Sequence, residues 1–322
     1  MSLDEGRDSC FAAGMKTHRF TIAVTLPFAL PLVLTGHGWI FLPPHRYDGG
    51  NAPWRVPLRL SAGLVGANVV QQRDRLRVQL HSAATLPKTA LAQAKSQLRH
   101  MLRIDDDLCA FWRACEGHPV LGWVKRLGAG RLLRSATVFE DLLKLLFTTN
   151  CTWAATTAMT KNLVEALGTP LPDGSRAFPT PRECVRDERF WRDVVRCGYR
   201  ALAAMELAAR FASGELHDAH FADAALSTAA MRDRVQALRG FGPYAAGQAM
   251  RLFGRYDDLA LDSWCRATLA QLLGRKKPPS DALIASRYRA FGPWAGLALW
   301  CELTAPWHHA GATNGPVAVA RN

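Results

Sequence analysis

Asp262 is the side chain in this sequence whose placement most invites chemistry. It follows the apolar triplet Leu259-Ala260-Leu261 and opens a helical run over 263–273, so its carboxylate can serve as a helix N-cap. A carboxylate can equally stabilise positive charge that develops in a transition state, and orient a water. Twenty residues upstream lies Gly242, the end of Gly240-Phe241-Gly242. Those glycines break a helical pattern over 231–238, and Pro243 then opens a second helix as proline does at a first turn. The stretch 231–254 therefore reads as a helix-hairpin-helix. Its glycines permit a tight turn and leave amide N–H groups at the second helix clear for a phosphate oxygen, which the helix dipole favours. Such a hairpin grips a DNA backbone without reading sequence, although an ordinary turn between helices shows the same Gly-x-Gly pattern.

The elements that position this stretch follow from periodicity. In the N-terminal third, 20–26, 31–35, 39–42, 55–60, 64–70 and 76–80 are short apolar or alternating runs separated by glycine, proline and Asp48-Gly49-Gly50. They predict a small antiparallel sheet. From residue 85 helical spacing dominates to about 303, so the fold class is α+β, with a small β domain followed by a helical domain. The expected organisation is a disordered segment 1–18, a β-rich domain 19–84, a helical domain 85–304 and a disordered tail 305–322, in which His308-His309 reads as solvated. The apolar run 20–34, preceded by Lys16, His18 and Arg19, superficially resembles a secretory signal. Pro27 and Pro31 interrupt it, no small-residue cleavage site follows, and it is too short to span a bilayer.

A Gly-x-Gly hairpin followed at this distance by an aspartate resembles the helix-hairpin-helix DNA glycosylases, the superfamily of endonuclease III, 8-oxoguanine glycosylase and the alkyl-base glycosylases. The likeness covers about half the chain. Arg131-Leu132-Leu133-Arg134, Phe139-Glu140 and the run to Thr148-Thr149-Asn150 resemble the first core helix of 8-oxoguanine glycosylase and its DNA-inserting loop. Cys197-Gly198-Tyr199-Arg200 resembles the loop whose tyrosine wedges into the duplex, and 291–296 resembles the start of the final helix. Gly38-Trp39 with Leu42-Pro43-Pro44 is similar to the N-terminal sheet domain of the same enzymes.

The resemblance implies base excision from DNA with Asp262 as catalytic carboxylate, and Gly240, Phe241, Gly242, Asn150, Tyr199 and Arg200 as DNA-binding residues. Residue by residue each has a plainer reading: Asn150 as a helix cap, Tyr199 as a core aromatic, Gly292-Pro293 as helix punctuation. In bifunctional relatives a lysine of the second hairpin helix attacks C1′; the matching residue is Tyr244, which cannot form a Schiff base, so hydrolysis by water without strand cleavage is expected. Were an amine used after all, Lys144 or Lys161 would be the candidate. The base pocket is expected from Tyr244, Gln248, Trp264, Leu299, Trp300 and Leu303. Gln248, Leu299 and Leu303 depart from the types that grip 8-oxoguanine in its dedicated enzyme, whereas the rings of Tyr244, Trp264 and Trp300 suit a cationic alkylated purine. An alkylated purine is thus the expected substrate, and 8-oxoguanine the alternative. A non-catalytic DNA-binding protein that kept the hairpin is the alternative of another class, and Asp262 is the feature against it.

Lysine and arginine number 40 against 27 acidic residues, a formal charge of +13, which favours a polyanionic partner through counterion release. Only Arg275-Lys276-Lys277 forms a tight cluster. The eight cysteines show no close pairing of the kind that zinc or iron–sulfur sites need, so no metal, no cofactor and reduced thiols are expected. In this the sequence departs from endonuclease III, whose four-cysteine loop follows the catalytic helix. The expected partner is double-stranded DNA with a damaged base, bound by a monomer in the cytoplasm, on the nucleoid when acting and away from membranes.

Overall fold

Residues 14–309 are described in the computed structural model; the ends expected to be disordered lie largely outside the described residues. Four strands, β1 (Lys16–Ala23), β2 (Trp54–Leu60), β3 (Gly63–Gln72) and β4 (Arg75–Ser82), form one antiparallel sheet in the order β1-β4-β3-β2. Alternation places Ile22, Leu76, Leu80, Val56 and Val69 on a buried face, as a period of two requires of a one-sided sheet. β1 begins at Lys16, inside the segment expected to lack structure.

Two expected strands are helical. The run at 31–35 lies in α1 (Leu30–Thr35), with Pro31 in its first turn, and 39–42 falls in a 3-10 turn, Gly38–Phe41. The physical reason is legible afterwards: a continuous apolar run without polar alternation cannot be told from a buried helix by period alone, and proline pre-sets helical φ.

The helical half comprises α2 (Lys88–Leu102), α3 (Cys109–Cys115), α4 (Gly122–Leu127), α5 (Val138–Thr148), α6 (Trp153–Leu167), α7 (Ala201–Ala212), α8 (Thr228–Gln236), α9 (Pro243–Phe253), α10 (Ser263–Leu272), α11 (Asp281–Tyr288) and α12 (Ala295–His309). Hydroxyl or carboxylate caps start five of them: Thr137, Thr152, Ser227, Asp262 and Ser280 each accept a backbone N–H of the first turn. α12 runs past 304 into the expected tail, where His308, rather than being solvated, packs its ring 5.4 Å from Trp123.

The apolar interior divides, but not at residue 84. The sheet shares one continuous core with α2 and α5 to α9, exemplified by Val69, Leu98, Leu142, Met159, Leu207, Met231 and Met250. A second core joins α3 and α4 to α10, α11 and α12 through Phe111, Val124, Leu269, Ile284 and Leu299. Asp262 lies on the segment that crosses from α9, in the first core, to α10, in the second.

Candidate active site and nucleic-acid interface

The hairpin has the expected form: α8, a glycine turn, then α9 opened by Pro243. Gly240 takes φ +84°, and a Cβ there would meet Leu146 at 2.8 Å and Ala203 at 3.0 Å, so both conformation and packing call for glycine. Gly242 has ordinary backbone angles and open space where its Cβ would stand. The first helical bond of α9 runs from Ala246 N–H to the Gly242 carbonyl, so earlier amides point out of the helix end. Phe241 does not face outward; its ring is buried in the first core, and only its backbone is available to a partner.

Asp262 is half-buried and bonded on both oxygens. Oδ1 accepts the Cys265 N–H at 2.6 Å, the N-cap of α10, while Oδ2 accepts Gln248 Nε2 at 3.2 Å. Gln248 is oriented in turn by Arg251, whose Nη1 donates to Gln248 Oε1 at 2.5 Å. A guanidinium only donates, so the amide must show its oxygen to Arg251 and its nitrogen to Asp262. Arg251 is buried, donates also to the Leu259 carbonyl and lies 4.3 Å over the Trp300 ring.

Asp262 forms part of the wall of a cavity of about 260 Å³ at the seam of the two cores. Its other walls are largely aromatic: Tyr244, Trp39, Trp153, Trp264, Trp300 and Trp307. Trp300 and Trp307 meet edge to face, 5.9 Å apart, and Trp264 lies 5.7 Å from Trp300. The Tyr244 hydroxyl donates to Thr148 Oγ1 at 3.3 Å, and burial pushes its pKa up to about 12, so the phenol is neutral at physiological pH.

Gly36-His37-Gly38 brings a further group to this cavity. The Gly36 carbonyl accepts Trp300 Nε1 at 2.8 Å, and a Cβ on Gly38 would stand 2.7 Å from the Trp153 ring. His37 is held between Trp39 and Trp300, with ring centroids 4.5 and 5.7 Å away. Its pKa is lowered to about 3, first by burial and then by the charges of Arg251, Lys144 and Arg103. The sequence reading missed His37, Trp39, Trp153 and Trp307. The bracketing glycines are the signal that could have found the first two, since small residues mark a close approach of chains.

At the rim, Asn150 and Tyr199 come together from distant parts of the chain. Asn150, at φ +45°, donates through Nδ2 to the Tyr199 hydroxyl at 3.4 Å, and Tyr199 is 63% exposed. Arg200 is buried, its Nε 3.1 Å from Thr149 Oγ1 and its Nη2 on the Thr149 carbonyl. In this structure it ties the two loops together and does not project from the surface.

Other expectations do not converge here. Leu299 and Leu303 are sealed in the second core and form no part of the cavity wall. Leu303 stands on the same face of α12 as Trp300 and Trp307, three and four residues away, but is covered by the core around it. The 291–296 segment likewise packs inward, with Trp294 5.8 Å from both Tyr256 and Phe111. Lys144 is fully buried in an ion pair with Glu140 at 2.6 Å, and Lys161 is an exposed residue paired with Glu165. The seven cysteines among the described residues carry free thiols.

No protein-family model matches the sequence, and no curated protein matches it. The fold, however, is that of known DNA glycosylases. A 3-methyladenine DNA glycosylase from Archaeoglobus fulgidus superposes with a TM-score of 0.71 at 17% identity, over 88% of this chain and 97% of that one. MBOgg1, solved with a low-affinity DNA ligand, gives 0.69 at 21% identity over 92% and 99%. The apo 8-oxoguanine glycosylase/lyase of Clostridium acetobutylicum gives 0.66 at 17% identity over 91% and 99%.

Proposed function

We propose that this chain is a DNA glycosylase that extrudes a damaged purine from duplex DNA and hydrolyses its N-glycosidic bond, with an alkylated purine as substrate. The observation that carries the reading is the carboxylate of Asp262 on the wall of an aromatic cavity, beside a helix-hairpin-helix whose amides point outward. A cavity of about 260 Å³ has room for one base. The fold shared with proteins that excise 3-methyladenine or process 8-oxoguanine supports the same class.

The residues divide the work. The amides around Gly242 hold a phosphate without reading sequence. Asn150 and Tyr199 fill the gap left by the base, offsetting an unstacking cost of a few kcal/mol. In the cavity the base lies among tryptophan faces, whose quadrupoles favour a cationic ring. The buried charge of Arg251 acts against such a ring, and the tryptophan faces and the carboxylate of Asp262 act for it. As the C1′–N bond breaks, its electron pair leaves with the base; a cationic alkylated purine departs neutral without needing a proton. Asp262 stabilises the oxocarbenium left on the sugar and orients the water that forms the new C1′–O bond, a proton being released to solvent. Among the described residues that line the cavity with Asp262 none is a lysine: Tyr244 is a neutral phenol, and Lys144 is held by Glu140. The reaction therefore ends at an intact abasic strand.

Incubating the protein with duplexes that each carry one alkylated, oxidised or deaminated base, then treating with alkali, tests this. The expected result is strand breakage at an alkylated purine only after alkali. A gel shift with no breakage at any lesion points instead to a DNA-binding protein without chemistry, and preferential breakage at 8-oxoguanine moves the substrate assignment there.

A further inference from the structure

Buried polar atoms in native proteins are nearly always hydrogen-bonded, so one that is not calls for a reason. Of the described side chains that line the aromatic cavity, two carry such an atom: His37 at Nδ1 and Trp153 at Nε1. An indole can only donate, whereas a neutral imidazole offers one N–H and one lone pair in either tautomer. His37 is buried, only 5% exposed, on the cavity wall. His45 also has unpartnered ring nitrogens, but it stacks on Trp54 away from the cavity.

We infer that His37 is the specificity-determining residue of the cavity, pairing with the polar edge of an extruded purine through a ring nitrogen that the protein leaves without a partner. The inference rests on the glycosylase reading and adds to it the group that tells one base from another.

Rigidity supports it. The loop is pinned on both sides of the imidazole, by Trp300 Nε1 on the Gly36 carbonyl and by the Trp153 ring lying flush against Gly38. A Cβ on Gly36 would also stand 2.8 Å from the Leu32 carbonyl and 3.0 Å from that of Arg131, so the backbone packs closely there. A recognition group must be held this way by its surroundings to discriminate between similar ligands. Electrostatics supports it as well. Arg251, Lys144 and Arg103 all disfavour a proton on the ring, and Asp262 is the acidic group on the same cavity wall. A neutral ring adds no repulsion against a cationic base and keeps both a donor and an acceptor in use.

The test uses the five tryptophans of the cavity wall as the reporter. Full-length protein is titrated with free 3-methyladenine, 7-methylguanine and unsubstituted purine while intrinsic fluorescence is followed. Single-turnover excision is measured on duplexes with the corresponding methylated bases. Wild type, His37→Phe, which keeps an aromatic plane without polarity, and His37→Gln, which restores a donor and an acceptor, are compared. For His37→Phe the expected result is a loss of roughly 10- to 100-fold in affinity for the methylated bases, with discrimination against unsubstituted purine reduced. Excision falls in parallel, while affinity for undamaged duplex is unchanged and His37→Gln recovers most of the loss. The melting temperature of His37→Phe stays at or above that of wild type, because an unpaired buried nitrogen has been removed. Base affinity and selectivity within twofold of wild type in His37→Phe overturn the inference, as does a melting temperature that falls together with every activity. The two readings separate cleanly. A wild type that excises lesions no faster than His37→Phe retains the glycosylase reading and refutes the role of His37; His37-dependent binding of methylated purines without excision retains the role and refutes the enzyme. Absence of both binding and excision refutes both.

Discussion

Asp262→Asn separates the chemical duty of this residue from its structural one, because the two oxygens are differently engaged. Oδ1 caps α10, and asparagine caps as well as aspartate. Oδ2 accepts from Gln248, whose orientation is dictated by Arg251. In the variant an Nδ2 donor must face either the Cys265 N–H or Gln248 Nε2, so one hydrogen bond is lost, at a cost of about 1 kcal/mol of stability. The chemical loss is larger. A carboxylate about 4 Å from positive charge developing on the sugar, at an effective dielectric of about 20, contributes roughly 4 kcal/mol. Removing that charge should slow single-turnover excision about a thousandfold.

Three measurements on one preparation make the argument decisive: excision by alkali-revealed strand breaks, affinity for a duplex with an abasic-site analogue by fluorescence anisotropy, and melting temperature. The expected pattern is excision down by about three orders of magnitude, duplex affinity equal or higher, and a melting temperature within a few degrees of wild type. Excision within tenfold of wild type refutes the electrostatic role. A collapse in melting temperature that accounts for the lost excision leaves Asp262 as a cap alone.

Three further outcomes follow from the same geometry. Gly242→Leu introduces a side chain where the free protein has open space and ordinary φ, so stability should hold; affinity for damaged and undamaged duplex alike should fall by about 10- to 100-fold, and a loss confined to one lesion would show that this loop reads bases. Wild-type protein should give no covalent adduct with DNA under borohydride, whereas Tyr244→Lys places an amine of burial-lowered pKa on the cavity wall with Asp262 and should become trappable; robust trapping of wild type would refute the hydrolytic assignment. The His37 pKa falls from 6.5 when unfolded to about 3 when folded, so its contribution to stability is complete above about pH 6.5 and is lost as pH drops toward 3, at up to ~1.4 kcal/mol per pH unit. Denaturant titrations across that window should show a shallower pH dependence in His37→Phe than in wild type, and equal slopes would refute the shifted pKa.

What the sequence disclosed was local. The hairpin and the aspartate beyond it depend on glycine, proline and capping chemistry within thirty residues or so, and the sheet depends on alternation within single strands. What it concealed was tertiary. His37 and Trp39 precede Asp262 by more than two hundred positions and come alongside it only because Gly36 and Gly38 let the loop lie against Trp300 and Trp153. At Leu299 and Leu303 the obstacle was reach and not helical phase: Leu303 shares a face of α12 with Trp300 and Trp307, yet only the larger indoles line the cavity while both leucines stay covered in the second core. At Asp262 the two readings open in the sequence, cap or catalyst, prove compatible in the structure. Capping uses one oxygen and aims the other.

The location of the cavity explains why it can be both polar and precise. Its two sides belong to different cores: Tyr244, Gln248 and the glycine-bracketed loop to the first, Trp264, Trp300 and Trp307 to the second. A site at such a seam leaves each core free to close its own apolar packing, so an unpaired imidazole and a carboxylate stand between the cores and interrupt neither. The seam must then be held at a fixed width by something that crosses it. Arg251 does so: rooted on α9 in the first core, its guanidinium lies over Trp300 of the second, donates to the Leu259 carbonyl on the connecting segment, and sets Gln248 against Asp262. Lysine at this position would keep the charge but could not stack flat on an indole while directing two separate N–H groups. The spacing between the aromatic faces and the aim of Asp262 are thus fixed by one planar cation.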